Sequence, residues 1–107
     1  MSSISFDRWV KLTIFEQMGN IGSEVGRAIA AERRGDTLSR NGAIFRALDL
    51  FAATSKSLAI QKSPRLREVL RARDQFLSLF FDSNFSEADK IENYFMQFAL
   101  AARRKDR

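Results

Sequence analysis

The chain has 107 residues, room for one domain and one hydrophobic core. Apolar residues make up 45% and charged residues 29%, ordinary globular usage that argues against a disordered chain, and no apolar run approaches the ~20 residues of a membrane span. With no cysteine and no histidine, the chain lacks disulfides, thiolate nucleophiles, the usual general base and the commonest metal ligand, so no catalytic residue, metal site or cofactor is expected.

One proline and five glycines are too few turn signals for many short strands, so helices are the default. The opening residues, Met1 to Asp7, show neither a basic region followed by an apolar run nor a cleavage site; no secretory leader is read, and the expected location is the cytoplasm. A short helical turn is expected around residues 6–11, with Phe6, Trp9 and Val10 lying over one end of the core. The first long helix spans residues 14–34. Ile14, Met18, Ile21, Val25, Ala28 and Glu32 recur at the period of one helical face, Thr13 with Glu16 forms a capping-box pattern, and Arg33, Arg34 and Gly35 close the C-terminus.

Asp36 or Ser39 caps a second helix that reaches about Ile60, with Leu38, Asn41, Phe45, Leu48, Ala52, Ser55 and Ala59 as its core-facing stripe. A third begins at Ser63-Pro64, a cap followed by proline at the first helical position, where a missing amide costs nothing. Leu66, Val69, Leu70, Phe76, Leu77, Phe80 and Phe81 form its apolar stripe. Asp82-Ser83-Asn84 breaks the pattern and Ser86 with Asp89 restarts it. Ile91, Phe95, Phe98, Ala99 and Ala102 then carry a fourth helix to near Arg103. The connections are only a few residues long, which predicts an all-α fold: an antiparallel up-down-up-down four-helix bundle in a single domain, residues 1–107. A tetratricopeptide-like helix pair is the rival, but one copy and no 34-residue repeat stand in the sequence.

Gly19, Gly22 and Gly26 sit inside the first long helix, where each costs about 1 kcal/mol relative to alanine, so something must offset roughly 3 kcal/mol. Gly22, Gly26 and Ala30 form a strip without bulk that lets another backbone approach. It suits close packing within the bundle, a contact between copies of the chain, or a groove for a ligand or nucleic acid. A phosphate-binding glycine loop does not fit, because the Gly-Lys-Ser/Thr end and a preceding strand are both missing.

Eighteen Lys and Arg against thirteen Asp and Glu leave a formal charge of +5, and arginine outnumbers lysine. The charge is segregated: from Arg33 to Arg73 there are ten cations and three anions, and from Asp74 to Phe95 five anions and one cation, before the chain turns basic again at Arg103, Arg104, Lys105 and Arg107. Guanidinium binds phosphate as a planar fork, and a dense arginine array gains affinity by counterion release. Arg33, Arg34, Arg40, Arg46, Arg65, Arg67 and Arg71 are therefore the candidate nucleic-acid contacts. A solvated surface that keeps the chain soluble is the plainer reading, and an acidic protein partner is a third. Arg73 lies near the apolar stripe, and a buried head there would need a carboxylate, with Glu24, Glu32 or Asp49 as the available class. Most late aromatics, Phe76 to Phe98, belong to inward stripes, while the phase of Phe81, Phe85 and Tyr94 leaves their side open. Glu16, Glu24, Glu32 and Asp49 could face one another, yet a di-iron site of the ferritin-like type needs Glu-x-x-His pairs. Ser55-Lys56-Ser57 reads as a polar patch.

The segment from Glu16 to Ala28 (EQMGNIGSEVGRA), together with Leu66 to Arg73 (LREVLRAR) and Tyr94 to Ala99 (YFMQFA), resembles a family of small uncharacterised bacterial four-helix proteins. The resemblance spans most of the chain and implies no catalytic or binding residue. Size, basic charge and the four-helix plan are more remotely similar to the helical accessory proteins of diversity-generating retroelements and to the proteins of ribosomal intervening sequences. Those bundles form oligomers and bind nucleic acid. The expected function is a non-enzymatic, self-associating helical bundle that binds RNA or DNA phosphates, with an adaptor for an acidic protein as the alternative and no membrane partner.

Overall fold

A computed structural model describes residues 5–105; residues 1–4 and 106–107, and with them the start of the chain and the last arginine of its basic tail, lie outside the described residues. The described chain is helical throughout, with no strand. It comprises α1 (Phe6–Trp9), α2 (Ile14–Arg33), α3 (Thr37–Ile60), α4 (Leu66–Phe81), a 3-10 turn at Phe85–Glu87, and α5 (Ala88–Lys105).

Local chemistry accounts for the boundaries. At the start of α2 the Glu16 amide donates to Thr13 Oγ1 at 3.1 Å, and the Thr13 amide donates to Glu16 Oε1 at 2.8 Å, the reciprocal capping box. Gly35 ends α2 at φ 74°, letting the Asp36 amide reach back to the Ala31 carbonyl at 2.9 Å. Asp36 then caps α3 by accepting from the Ser39 amide at 3.1 Å. Hydrogen bonding from Ser39, helped by Arg34, holds the Asp36 carboxyl below its ordinary range. The end of α3 repeats the α2 geometry without a glycine: Lys62 adopts φ 54° and the Ser63 amide bonds the Leu58 carbonyl at 2.9 Å. Ser63 Oγ accepts from the Arg65 amide at 3.1 Å, so Ser63-Pro64 makes a turn ahead of α4 rather than its first residues.

α2 packs against α3 on one side and α5 on the other, and α4 rests mainly on α3. The core is built around Phe51 of α3, whose ring centre lies 6.2 Å from that of Phe76 and 6.1 Å from that of Phe95. Ile21, Val25 and Ile29 of α2 are fully buried beside it. Trp9 plugs one end: it is 1% exposed, its indole N–H donates to Thr54 Oγ1 at 2.8 Å, and Gln17 Nε2 donates to its carbonyl at 3.0 Å. Phe6 is half-buried, whereas Val10 points outward at 39% exposure rather than covering the core.

α3 departs from its expected phase. Its buried residues are Ala43, Ile44, Ala47, Phe51, Thr54, Ser57 and Leu58, while Leu38 and Phe45 are 85% and 67% exposed. Most of the stripe read from the sequence faces outward, while Leu48 packs against the core and Ser55 is half-buried. α3 carries apolar residues on two sides, and the side holding Phe51 wins because aromatic partners from α4 and α5 meet it there. Phe81, assigned to the inward stripe of α4, is 66% exposed. It is the last residue of its helix. Tyr94 and Phe85 are half-buried, so the three aromatics do not form one exposed patch.

Candidate nucleic-acid interface

Ion pairing divides the candidate arginines into two groups. Those on α2 and α3 are engaged. Arg33, on the last turn of α2, meets Asp89 of α5 at 2.8 Å and Glu92 at 3.3 Å. Arg40 meets Glu32 at 2.8 Å, Arg46 meets Glu24 at 3.0 Å, and Arg34 meets Asp36 at 3.4 Å. Arg27 shares Glu24 at 3.2 Å. Exposed pairs like these contribute little to stability, about 0–1 kcal/mol each, yet each places an anion where a phosphate would have to sit.

The α4 arginines are placed differently. Arg65 lies 3.9 Å from Glu68, the long limit of an ion pair, with its guanidinium 5.9 Å from the centre of the Phe15 ring. Arg67 and Arg71 are exposed and one helical turn apart, and among the described residues neither has a carboxylate within 4.0 Å. Their Cβ atoms stand about 6 Å apart at this spacing, so both forks address one stretch of surface. Lys62, which the candidate set omitted, is also exposed in the turn before α4. Its left-handed backbone had no glycine to announce it. Arg73 pairs with its neighbour Asp74 at 3.1 Å, not with Glu24, Glu32 or Asp49; its guanidinium is solvent-accessible and needs no buried partner, and Glu24 and Glu32 are already taken.

Between α4 and α5 lies a groove of about 550 Å³, lined by Arg71, Gln75, Ser78 and Tyr94 along with Asp74 and Glu87. The hydroxyl of Tyr94, one of its lining residues, donates to Glu68 at 2.7 Å. Burial, and then the Glu68 carboxylate, push the Tyr94 hydroxyl well above its ordinary pKa. The groove is of mixed charge, so the cationic surface is the solvent side of α4 at Arg67 and the groove rim at Arg71.

The small-residue strip does not act as one unit. A Cβ added at Gly22 would come 2.8 Å from the Phe95 Cβ, so this glycine lets α5 lie directly on α2. Gly19, outside the candidate strip, makes the other close approach, with Ala99 Cα 3.4 Å from its ideal Cβ position. At Gly26 the nearest atom is Glu92 Oε2 at 4.0 Å, and Ala30 is exposed. The carboxylates considered for a shared site are dispersed: Glu16 closes a helix cap, Glu24 and Glu32 hold arginines, and Asp49 is exposed on α3. Among the described residues there is no group of three or more potential metal-ligating side chains, and no helix is long and apolar enough to cross a membrane. No protein-family model, curated protein or solved structure matches the chain.

Proposed function

We propose that the chain is a non-enzymatic, cytoplasmic, antiparallel up-down-up-down four-helix bundle that self-associates and holds RNA or DNA phosphates on α4. The observation that carries this reading is the pair Arg67 and Arg71, exposed at i, i+4 spacing with no carboxylate within 4.0 Å among the described residues. Guanidinium forks with no resident anion are free to exchange bulk counterions for phosphate oxygens, and releasing those ions drives binding. Arg65 and Lys62 extend the same surface. Arg33, Arg34, Arg40 and Arg46 contribute less, because a phosphate must first displace Asp89 and Glu92, Asp36, Glu32 or Glu24.

Fluorescence anisotropy with labelled single-stranded RNA and duplex DNA, from about 50 to 200 mM salt, tests the reading. Affinity should fall linearly on a log–log plot. The double variant Arg67→Ala/Arg71→Ala should bind more weakly and lower the slope by about 2, one for each phosphate contact. Arg33→Ala should change the slope by less than Arg67→Ala does. Affinity indifferent to salt, or to loss of both arginines, would overturn the assignment. A partner from cell extract that is retained after nuclease digestion and lost in the double variant would give the arginines to an acidic protein instead.

A further inference from the structure

From the outward face of α3 we infer that the self-association included in the function proposed above is an isologous dimer formed by antiparallel packing of α3 against α3 of a second copy. The inference rests on that part of the functional reading and does not need the phosphate contacts.

Phe45, Asp49, Ala52, Lys56 and Ile60 are all exposed. At 100° per residue they fall within one narrow sector of α3, with Leu38 and Ala59 on the same side. Phe45 and Ile60, one at each end of this face, are each 67% exposed. The core-facing side of α3 carries Phe51, Thr54 and Leu58, while Phe45, Asp49, Ala52 and Ile60 of this second stripe stay exposed in the monomer.

The order of residues along the stripe is self-complementary. When two copies run antiparallel with the two-fold axis between Ala52 and Ala53, Phe45 of each copy stands level with Ile60 of the other. Asp49 of each then stands level with Lys56 of the other. The small Ala52 falls at the crossing, where the axes must approach most closely. Parallel in-register packing would set Asp49 on Asp49 and Lys56 on Lys56, so the charges select the antiparallel arrangement. The two charges are available for it. Among the described residues Asp49 and Lys56 have no ion-pair partner, and the Lys56 ammonium rests 4.3 Å from the centre of the Phe6 ring with its donors still open to a carboxylate. Arg40 and Arg46, the other charges on this part of α3, are held by Glu32 and Glu24 at its flank. The overlap covers residues 45–60 of each copy, about 24 Å of helix. A contact of this size is at the small end of specific interfaces, and roughly 10–1000 µM protein is the range in which to look for the dimer.

Sedimentation equilibrium of the full chain over that range, in low salt, decides the matter. The wild type should fit a monomer–dimer equilibrium, and Phe45→Asp should weaken it at least about tenfold while leaving the helical circular dichroism unchanged. Asp49→Lys and Lys56→Asp should each weaken it, since each sets like charges opposite one another twice per dimer. The double variant Asp49→Lys/Lys56→Asp should recover the dimer, because exchange of the two charges recreates both unlike pairs. A role in monomer folding would show no such recovery. A wild type that stays monomeric throughout would remove self-association itself. A dimer that survives Phe45→Asp, or a charge-swapped double variant no better than the singles, would remove only the α3 assignment.

Discussion

The two flanks of α5 are built by opposite means. Toward α2 the contact is made by missing side chains: Gly22 lies under Phe95 and Gly19 under Ala99, so the backbones close up and Asp89 and Glu92 come within reach of Arg33. Toward α4 the contact is made by long side chains, with Tyr94 reaching Glu68 and, in the turn just before α5, the Phe85 ring tilted against that of Phe80 at 6.0 Å between centres. That flank stays open as a groove, with Arg71 on its rim. The difference shows how packing distributes charge. A close helix seam delivers carboxylates to the arginines beside it, and a splayed one leaves them for other anions.

Truncation of Phe95 gives the largest expected effect, because this ring is 3% exposed, covers Gly22 and touches Phe51. Phe95→Ala should cost about 3–5 kcal/mol in urea unfolding, whereas Phe81→Ala on the exposed end of α4 should stay within about 0.5 kcal/mol of wild type. Equal losses would mean that the α2–α5 seam is not the tighter one.

Alanine at two glycines of α2, one turn apart, sharpens the contrast. Helix propensity favours both changes by up to about 1 kcal/mol. At Gly22 the new methyl would press on the Phe95 Cβ, which has no flexible end to swing away, so overpacking prevails and Gly22→Ala should destabilise by about 1–3 kcal/mol. At Gly26 the nearest atom is an ordinary 4.0 Å away, so Gly26→Ala should stabilise by about 0.5–1 kcal/mol. Thermal unfolding of the two variants should therefore shift in opposite directions. Same-sign shifts would show that α5 does not lie against Gly22.

The open flank gives a smaller effect than the Phe95 and Gly22 changes. Tyr94→Phe removes the hydrogen bond to Glu68 and should cost about 1 kcal/mol, the worth of an ordinary hydrogen bond, because the hydroxyl meets the carboxylate at the surface. The folded-state pKa of Tyr94 is raised, so its contribution is complete below the unfolded value near pH 10 and is lost as pH rises beyond that. Stability measured from about pH 8 upward should decline less steeply in Tyr94→Phe than in wild type. Identical alkaline limbs would mean that the hydroxyl is not held by Glu68.

Much of the helical plan was legible because its signals are local. Thr13 and Glu16 are three residues apart and cap α2 within that span; Gly35 supplies the left-handed residue that ends it. The end of α3 was harder to read, since Lys62 takes the same left-handed conformation without glycine and only Ser63-Pro64 hinted at a stop. The candidate interface was legible in part. Charge density marked both groups of arginines, but nothing local distinguishes Arg33, answered by Asp89 and Glu92 far along the chain, from Arg67, answered by no carboxylate among the described residues.

By itself the amino-acid sequence determined that this protein is helical, where α2 and α3 begin, and that its surface is rich in arginine, because periodicity, capping and composition are properties of neighbouring residues. Only the tertiary structure decided which of the two apolar stripes of α3 turned inward. Both have helical spacing, and the choice depended on Phe76, Phe95 and Trp9 arriving from other helices to bury Phe51 and Thr54. The same arrival of distant partners left Phe45 and Ile60 facing outward.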